Sequence, residues 1–209
     1  MKFYDCQTAP SPRRARIFIA EKALDIETVE IDLRNAEQLS ESFRRINPRC
    51  TVPVLELDDG TRLTENIGIA SYLEAAFPDP PLMGSTPREK GLVSMWNARV
   101  ELEGLWPAAD ALRNSTARMK DRAVTGPTNH AQIPELAARG LERCAEFFVT
   151  LNERLADSEY LAGDVYSLAD ITALCVVDFA AWVKVKIGDD QPHLQRWHST
   201  VSARPSAAL

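Results

Sequence analysis

The sequence predicts an α/β domain followed by an all-α domain in a chain of 209 residues. Short strand patterns alternate with helical patterns over 1–77, prolines cluster within 78–86, and no convincing strand pattern appears in 87–209. We therefore expect an N-terminal α/β domain over 1–77, a linker over 78–86 and an all-helical C-terminal domain over 87–209.

The N-terminal domain is predicted to run strand, helix, strand, helix, strand, strand, helix. Lys2–Tyr4 and Thr28–Ile31 are strand candidates, and apolar side chains recur at helical spacing between them, up to Leu24. Ser11 suits an N-cap, and Pro12 suits the first helical position. The remaining predicted elements are a helix stopped at Asn47-Pro48, strands at 54–57 and 62–64 joined by Asp59-Gly60, and a helix at 66–77.

The C-terminal domain is predicted from helical segments at about 88–122, 132–156, 168–186 and 193–203. Pro107 predicts a kink within the first of them, because proline cannot donate to the helical ladder. Ser167 and Asp170 form a capping-box pattern, Ser-x-x-Asp, at the start of the third. We interpret these two residues as structural, because such side chains satisfy backbone donors at a helix start.

The composition argues against several classes of protein. Thirty acidic against 24 basic residues give a net charge of −6, so no general attraction to nucleic acid or to an anionic membrane is expected. No apolar run is long enough for a membrane span, and the three histidines lack metal-ligand spacing, so no metal is expected. The four cysteines are scattered and form no CxxC pair: Cys6, Cys50, Cys144 and Cys175. This distribution favours free thiols and a cytoplasmic location.

Val52-Pro53, at the start of the third strand, resembles the cis-proline loop of the thioredoxin superfamily. A cis bond before proline turns the chain sharply and presents the Val52 backbone N–H and C=O outward. Such an edge can pair with an extended peptide. The alternative is that Pro53 only begins an edge strand.

Glu65 and Asn66 lie between the fourth strand and the helix that follows it. The N-terminus of a helix offers free N–H groups and a positive dipole end, which suit a carboxylate, while Glu65 suits an ammonium group. The pair therefore fits a zwitterionic amino-acid end of a ligand. The alternative is that Asn66 serves only as an N-cap.

These motifs resemble the glutathione transferase superfamily along the whole chain, in particular its bacterial cytosolic members. The resemblance implies a thioredoxin-like N-terminal domain, a C-terminal helical bundle, a homodimer, and glutathione as a substrate. It assigns Gln38 to the glycyl end of glutathione, Val52 and Pro53 to its cysteinyl backbone, and Glu65 and Asn66 to its γ-glutamyl end. The sequence departs from the family pattern at three sites. Asn66 stands where the family commonly has Ser, and Ala36 stands where many relatives have Gly. Cys50-Thr51 stands where the family commonly has a small residue followed by Lys or Gln, and Arg49 could supply the missing positive charge.

The residue that activates the thiol must donate a hydrogen bond to the sulfur, because such a donor favours the thiolate. Ser11 lies where the superfamily has Ser, Asn or Cys, so it is the candidate catalytic residue. Thr8 is the alternative, and Ser11 as an N-cap alone is the structural interpretation. The redox branch has Cys at the position of Ala9, so dithiol exchange by the protein is disfavoured.

The resemblance implies an enzyme of detoxification that conjugates the glutathione thiol to a hydrophobic electrophile held between the domains. One alternative is glutathione-dependent disulfide reduction, and another is a non-catalytic interaction module of the same fold. Asn66 and Cys50-Thr51 favour the module, whereas Gln38, Val52-Pro53 and Glu65 favour the enzyme.

Overall fold

The computed structural model describes residues 1–209, which divide into two compact units. The first unit comprises 1–80, 124–129 and Leu209, and the second comprises 81–123 and 130–208. The predicted fold class is confirmed, since the first unit carries a thioredoxin-like four-stranded mixed sheet with helices and the second is helical. No helix combines the length and the apolar character that crossing a membrane requires.

The sheet has the strand order β2-β1-β3-β4. The first two strands, β1 (Lys2–Asp5) and β2 (Glu27–Glu30), run parallel, because a helix connects them. β3 (Val54–Glu56) pairs antiparallel with β1 and with β4 (Arg62–Thr64), which follows it through a tight turn at Gly60. The predicted pairing of a parallel unit with an antiparallel hairpin is therefore confirmed.

Three helices accompany the sheet: α1 (Pro10–Glu21), α2 (Glu41–Ile46) and α3 (Asn66–Ala76). The prediction that α1 begins with Ser11 as its N-cap is wrong. Ala9 is the residue before the helix and supplies no side-chain cap, while Pro10 begins the helix. Pro10 suits that position as well as Pro12 does, because proline lacks only an N–H that would be unbonded there.

The core of the first unit uses both faces of the sheet, because successive side chains of a strand point to opposite sides. On one face, Tyr4 and Val54 pack with Phe43 of α2. Phe3 and Leu55 alternate with them along β1 and β3 and are fully buried. The apolar positions of α1 and α3 are fully buried as well: Ile17, Phe18, Ile69 and Leu73.

Five helices build the second unit: α4 (Pro87–Arg99), α5 (Trp106–Ser115), α6 (Pro134–Ala156), α7 (Leu168–Ala180) and α8 (Pro192–Ser202). The predicted continuous helix over 88–122 is wrong at its C-terminal end, since regular helix stops at Ser115. A π-helical segment, Val100–Leu105, joins α4 to α5 directly before Pro107. This wider turn accommodates the proline that the sequence predicted to cause a kink.

Asp170 connects three parts of the second unit. Its carboxylate is fully buried and accepts hydrogen bonds from the Leu161 N–H at 3.0 Å and the Trp197 indole N–H at 2.9 Å. It also accepts from the Ser167 N–H at 3.1 Å and the Ser167 hydroxyl at 2.9 Å. Burial raises the pKa of Asp170, while these donors act in the opposite direction.

Candidate functional site

The sheet register brings three chain segments to one edge. Tyr4 of β1 lies opposite Val54 of β3, and Val54 lies opposite Thr64 of β4. Because β3 runs antiparallel to both neighbours, its beginning lies beside the ends of β1 and β4. The segments that carry Ser11 and Asn66 leave the sheet at this edge, and the segment that carries Val52 enters it there; we call it the shared edge.

Ser11 is the second residue of α1 and half-buried. Its hydroxyl oxygen accepts a hydrogen bond from the Asn66 amide nitrogen at 3.1 Å and from an Arg14 guanidinium nitrogen at 3.4 Å. A hydroxyl has two acceptor positions and one proton. With both acceptor positions used, the Ser11 proton remains for a third partner.

Thr8, the alternative to Ser11, is exposed in the loop between β1 and α1. Its hydroxyl lies 3.6 Å from the Cys6 sulfur, which is buried. Thr8 thus stays a second candidate. Its hydrogen-bond partner is a thiol, whereas the Ser11 hydroxyl accepts from two nitrogen donors.

The Val52–Pro53 peptide bond is cis, as the motif predicts. Asn47 braces the preceding loop by donating from its side-chain amide to the Thr51 carbonyl at 2.8 Å and to the Thr51 hydroxyl at 3.0 Å. The Val52 N–H and C=O form no hydrogen bond within the chain. A peptide aligned with this loop can therefore use both groups.

Glu65 and Asn66 adopt an unusual local geometry. Glu65 has φ 60° and ψ 132°, a sparsely populated conformation that costs on the order of 1–3 kcal/mol for a residue other than glycine. Its carboxylate is exposed and makes no contact within the chain. Asn66 begins α3 and is buried, and its Oδ1 atom has no hydrogen-bond partner. The predicted capping role of Asn66 is not seen, because its side chain bonds to Ser11.

Gln38 lies in a short 3₁₀ helix, Glu37–Leu39, between β2 and α2. Its Oε1 atom is buried without a hydrogen-bond partner. The residue before this helix, Ala36, has φ 59°, in the left-handed region that favours glycine. Ala36 therefore adopts a backbone turn that favours glycine, at some cost in conformational energy.

Arg49 and Cys50 precede Thr51, the residue that stands where the family commonly has Lys or Gln. Cys50 is buried with φ 55°, and its thiol faces the Pro48 carbonyl at 3.7 Å, so it is not directed at a ligand. The Arg49 side chain is exposed and makes no hydrogen bond or ion pair within the chain. Arg49 is therefore the available cation in this loop.

Two arginines of α1 contribute to the site although the sequence analysis did not select them. Arg16 donates to the Asp5 carboxylate at 2.7 Å and to the Gln7 carbonyl at 3.0 Å, which holds the loop before α1. Burial raises the pKa of Asp5, and the charge of Arg16 opposes this shift. Arg14 reaches Ser11 directly. The only sequence signal was the presence of three arginines, Arg13, Arg14 and Arg16, in the first half of α1.

No group of His, Cys, Asp and Glu side chains is placed to hold a metal ion. The candidate site consists instead of amide, hydroxyl, carboxylate and backbone groups. Such a set suits a peptide-like ligand with charged ends.

The whole chain is similar to proteins of one known family. Residues 8–76 match the family model for the glutathione S-transferase N-terminal domain, and residues 116–205 match the one for the C-terminal domain. The chain is 35% identical to glutathione S-transferase 2 of Saccharomyces cerevisiae over 99% of this chain and 87% of that protein.

Two solved structures extend the similarity to the fold. The crystal structure of Gtt2 from Saccharomyces cerevisiae is 34% identical, with a TM-score of 0.91, over 100% of this chain and 99% of that one. A glutathione S-transferase domain-containing protein of Marinobacter aquaeolei VT8 is 37% identical, with a TM-score of 0.90, over 99% of both chains.

Proposed function

The chain belongs to the glutathione S-transferase family and is a glutathione transferase, and we propose that the shared edge binds glutathione and activates its thiol. In the proposed conjugation, the thiolate sulfur attacks an electrophilic carbon of a hydrophobic substrate. A carbon–sulfur bond forms, the leaving group departs with its bonding electron pair, and the thiol proton passes to solvent.

The γ-glutamyl end of glutathione is proposed to bind at the N-terminus of α3. The Glu65 carboxylate, which has no partner in the chain, pairs with the ammonium group, and the first N–H groups of α3 receive the carboxylate. The Asn66 Oδ1 atom accepts an N–H from the same end of the ligand.

The cysteinyl and glycyl units are proposed to bind along the neighbouring loops. The free N–H and C=O of Val52 pair with the cysteinyl backbone, next to Pro53. Gln38 bonds the glycyl unit through its amide, and the exposed Arg49 guanidinium attracts the glycyl carboxylate.

The thiol is proposed to bind beside Ser11. The Ser11 hydroxyl has a proton that neither the Asn66 amide nitrogen nor the Arg14 guanidinium can accept, and we propose that it donates to the sulfur and favours the thiolate. Binding also holds the sulfur in a fixed orientation, which lowers the entropic cost of its reaction with the electrophile.

The observation that carries this proposal is the pair of buried acceptors without partners, Asn66 Oδ1 and Gln38 Oε1. A buried polar atom without a hydrogen bond costs about 1–3 kcal/mol, and native structures contain few of them. Both atoms belong to side chains that the sequence assigned to glutathione. A bound tripeptide with N–H groups at these positions removes the cost.

Calorimetric titration with glutathione tests the site. Glu65→Ala should weaken binding at least about tenfold, because a hydrogen bond to a charged group contributes about 1.5–3 kcal/mol. Glu27→Ala is the matched control: Glu27 is exposed at the other end of the sheet, opposite Lys2, and its loss should leave the affinity unchanged. Absence of binding by the unaltered protein at millimolar glutathione would contradict the proposal and favour an interaction module.

A comparison of two substrates tests the type of reaction. Conjugation predicts activity with an aryl halide and loss of that activity in Ser11→Ala. Glutathione-dependent disulfide reduction predicts instead that a small glutathione mixed disulfide is turned over and the aryl halide is not.

A homodimer is the proposed assembly, and its supporting observation is an exposed apolar face on the helix that runs through α4 and α5. Met95, Leu102 and Trp106 lie seven and four residues apart and are 46%, 61% and 55% exposed. Large apolar residues grouped in this way mark interaction surfaces. Association with a second copy would bury them.

Sedimentation velocity tests the proposed dimer. Leu102→Glu should shift the protein to the monomer at micromolar concentration. Val165→Glu is the control, since Val165 is 67% exposed and lies outside the helix that carries this face. A monomeric unaltered protein, or a dimer that Leu102→Glu does not weaken, would contradict the proposed interface.

A cytoplasmic location is proposed from the cysteines. All four are buried as free thiols, which suits a reducing compartment.

A further inference from the structure

Arg14 is a buried cation in the second turn of α1, and its side chain is directed toward the site. The residue is 5% exposed, and its guanidinium donates to the Ser11 hydroxyl oxygen at 3.4 Å. Removing a charge from water is costly, so a buried arginine has to interact with the groups that surround it. One of those groups is the hydroxyl proposed to activate the thiol.

The contact with Arg14 restricts the direction of the Ser11 proton. Asn66 and Arg14 both donate to the Ser11 oxygen, and neither nitrogen has a lone pair that could accept a proton in return. Without Arg14, one acceptor position of the hydroxyl is free, and the group can rotate to other partners. With Arg14 in place, both acceptor positions of the hydroxyl are used, and its proton is available to an anion at the site.

The charge of Arg14 acts in the same direction as the hydrogen bond. A positive charge near a thiol favours the thiolate, and burial strengthens the effect because water screens it less. Other ionisable groups near the N-terminus of α1 include Arg13, the Asp5–Arg16 ion pair, Glu65, and Glu30, whose carboxylate accepts from the Gln7 N–H. Arg16 pairs with Asp5, and the exposed carboxylates of Glu30 and Glu65 oppose thiolate formation, whereas Arg14 is a buried cation that contacts Ser11.

We infer that Arg14 is a positioning residue for thiol activation: its guanidinium orients the Ser11 hydroxyl as a donor and lowers the pKa of the bound glutathione thiol. The inference rests on the proposed function, because it requires glutathione to bind beside Ser11. Arg14 orients the Ser11 hydroxyl by its hydrogen bond, and its charge adds to the effect of that hydroxyl without requiring contact with the sulfur.

The test compares the thiol pKa of bound glutathione in the unaltered protein and in Arg14→Met. Two measurements give this pKa: the ultraviolet absorbance of the thiolate and the pH profile of kcat/KM. A neutral side chain at this position should raise the thiol pKa by about one unit, within the range of 1–3 units for a nearby opposite charge. Arg13→Met is the matched control. It removes an equal charge from the adjacent position, where the guanidinium bonds to the Leu209 carbonyl, and should leave the pKa within about 0.3 units.

A double-mutant cycle separates this role from a structural one. In a Ser11→Ala background the hydroxyl is absent and only the charge of Arg14 still acts, so Arg14→Met should change the thiol pKa less than it does in the unaltered protein. Equal effects in both backgrounds would show that Arg14 acts by its charge alone and does not orient the Ser11 hydroxyl, which would overturn its positioning role. If Arg14→Met fails to fold, Arg14→Gln replaces it, because glutamine keeps a polar side chain in the buried position while removing the charge.

The outcomes distinguish this inference from the proposed function. If the unaltered protein does not bind glutathione or does not lower its thiol pKa, the proposed function fails. If it does both, and the neutral Arg14 variant that folds has an unchanged thiol pKa, the proposed function stands and the role of Arg14 is wrong.

Discussion

The Asn66 side-chain amide donates a hydrogen bond to the Ser11 hydroxyl over 3.1 Å and thereby joins the N-termini of α3 and α1. The family commonly has serine at the position of Asn66. A longer amide side chain reaches Ser11 and still leaves its Oδ1 atom without a partner. Asn66 therefore connects the proposed γ-glutamyl and thiol subsites.

Asn66→Ala should weaken glutathione binding about tenfold, equivalent to about 1.4 kcal/mol. The substitution removes the acceptor for the γ-glutamyl end and one of the two donors to Ser11. Calorimetric titration measures the affinity. Asn97→Ala is the control, because Asn97 is an equally buried asparagine that bonds to Thr172 in the second unit. An Asn66→Ala affinity equal to that of the unaltered protein would remove Asn66 from the site.

The sheet and the site motifs could be predicted because their signals are local. Alternating apolar residues, the turn at Gly60 and the proline after Val52 each specify a short stretch of backbone. The Ser11–Asn66 bond joins residues 55 positions apart, and no local pattern contains it. Both Pro10 and Pro12 suit a helix start, so composition alone did not decide where α1 begins.

The helices of the second unit also show that local sequence patterns cannot predict contacts between distant segments. Helical periodicity predicted residues 88–122 as one segment, but helix ends at Ser115. Gly104, in the π-helical segment, has no room for a side chain, because an added Cβ atom would lie 2.7 Å from the Phe147 ring. This close approach depends on α6, which periodicity within a single segment does not describe.

Lys22→Met should lower the free energy of unfolding by about 3–5 kcal/mol, because it leaves a charge in a buried ion pair without its partner. The Lys22 ammonium is fully buried, lies 2.6 Å from the Glu74 carboxylate, and donates to the carbonyls of Phe77 and Pro80. Urea unfolding measures the change.

Two further variants test whether the loss of stability in Lys22→Met comes from the unpaired buried charge. Lys22→Met with Glu74→Leu should recover part of the lost stability, since both buried charges are then removed. Breaking the exposed pair between Arg45 and Glu41 with Arg45→Met should cost at most about 1 kcal/mol. Equal losses for Lys22→Met and Arg45→Met would contradict the structural role of Lys22.

Asp170→Asn should lower the free energy of unfolding by about 2–4 kcal/mol. The Ser167 N–H and hydroxyl both donate to one carboxylate oxygen of Asp170. Asparagine has only one acceptor oxygen, so its amide N–H₂ would replace one of the two carboxylate oxygens and face donors instead of accepting from them. Thermal or urea unfolding measures the loss. Asp164→Asn is the control, because Asp164 is exposed, and glutathione affinity of the folded Asp170→Asn protein should stay unchanged.

Cys144 gives a prediction for alkaline pH. Burial raises the pKa of its thiol from 9.0 to about 11, and the thiol lies between α5 and α6 among apolar side chains. The unfolded chain therefore loses this proton near pH 9, while the folded chain keeps it until about pH 11. Between these values the folded state binds more protons, so stability must fall as the pH rises, by at most about 2–3 kcal/mol from this group.

The difference between the unaltered protein and Cys144→Ala isolates this contribution from those of tyrosines and lysines. Cys144→Ala should be less stable at pH 7, because a buried sulfur and its packing are lost. Its stability should fall less steeply between pH 9 and pH 11, so the two proteins converge as the pH rises. Parallel curves from urea unfolding across this range would show that the folded and unfolded thiols ionise alike, and that burial does not protect Cys144.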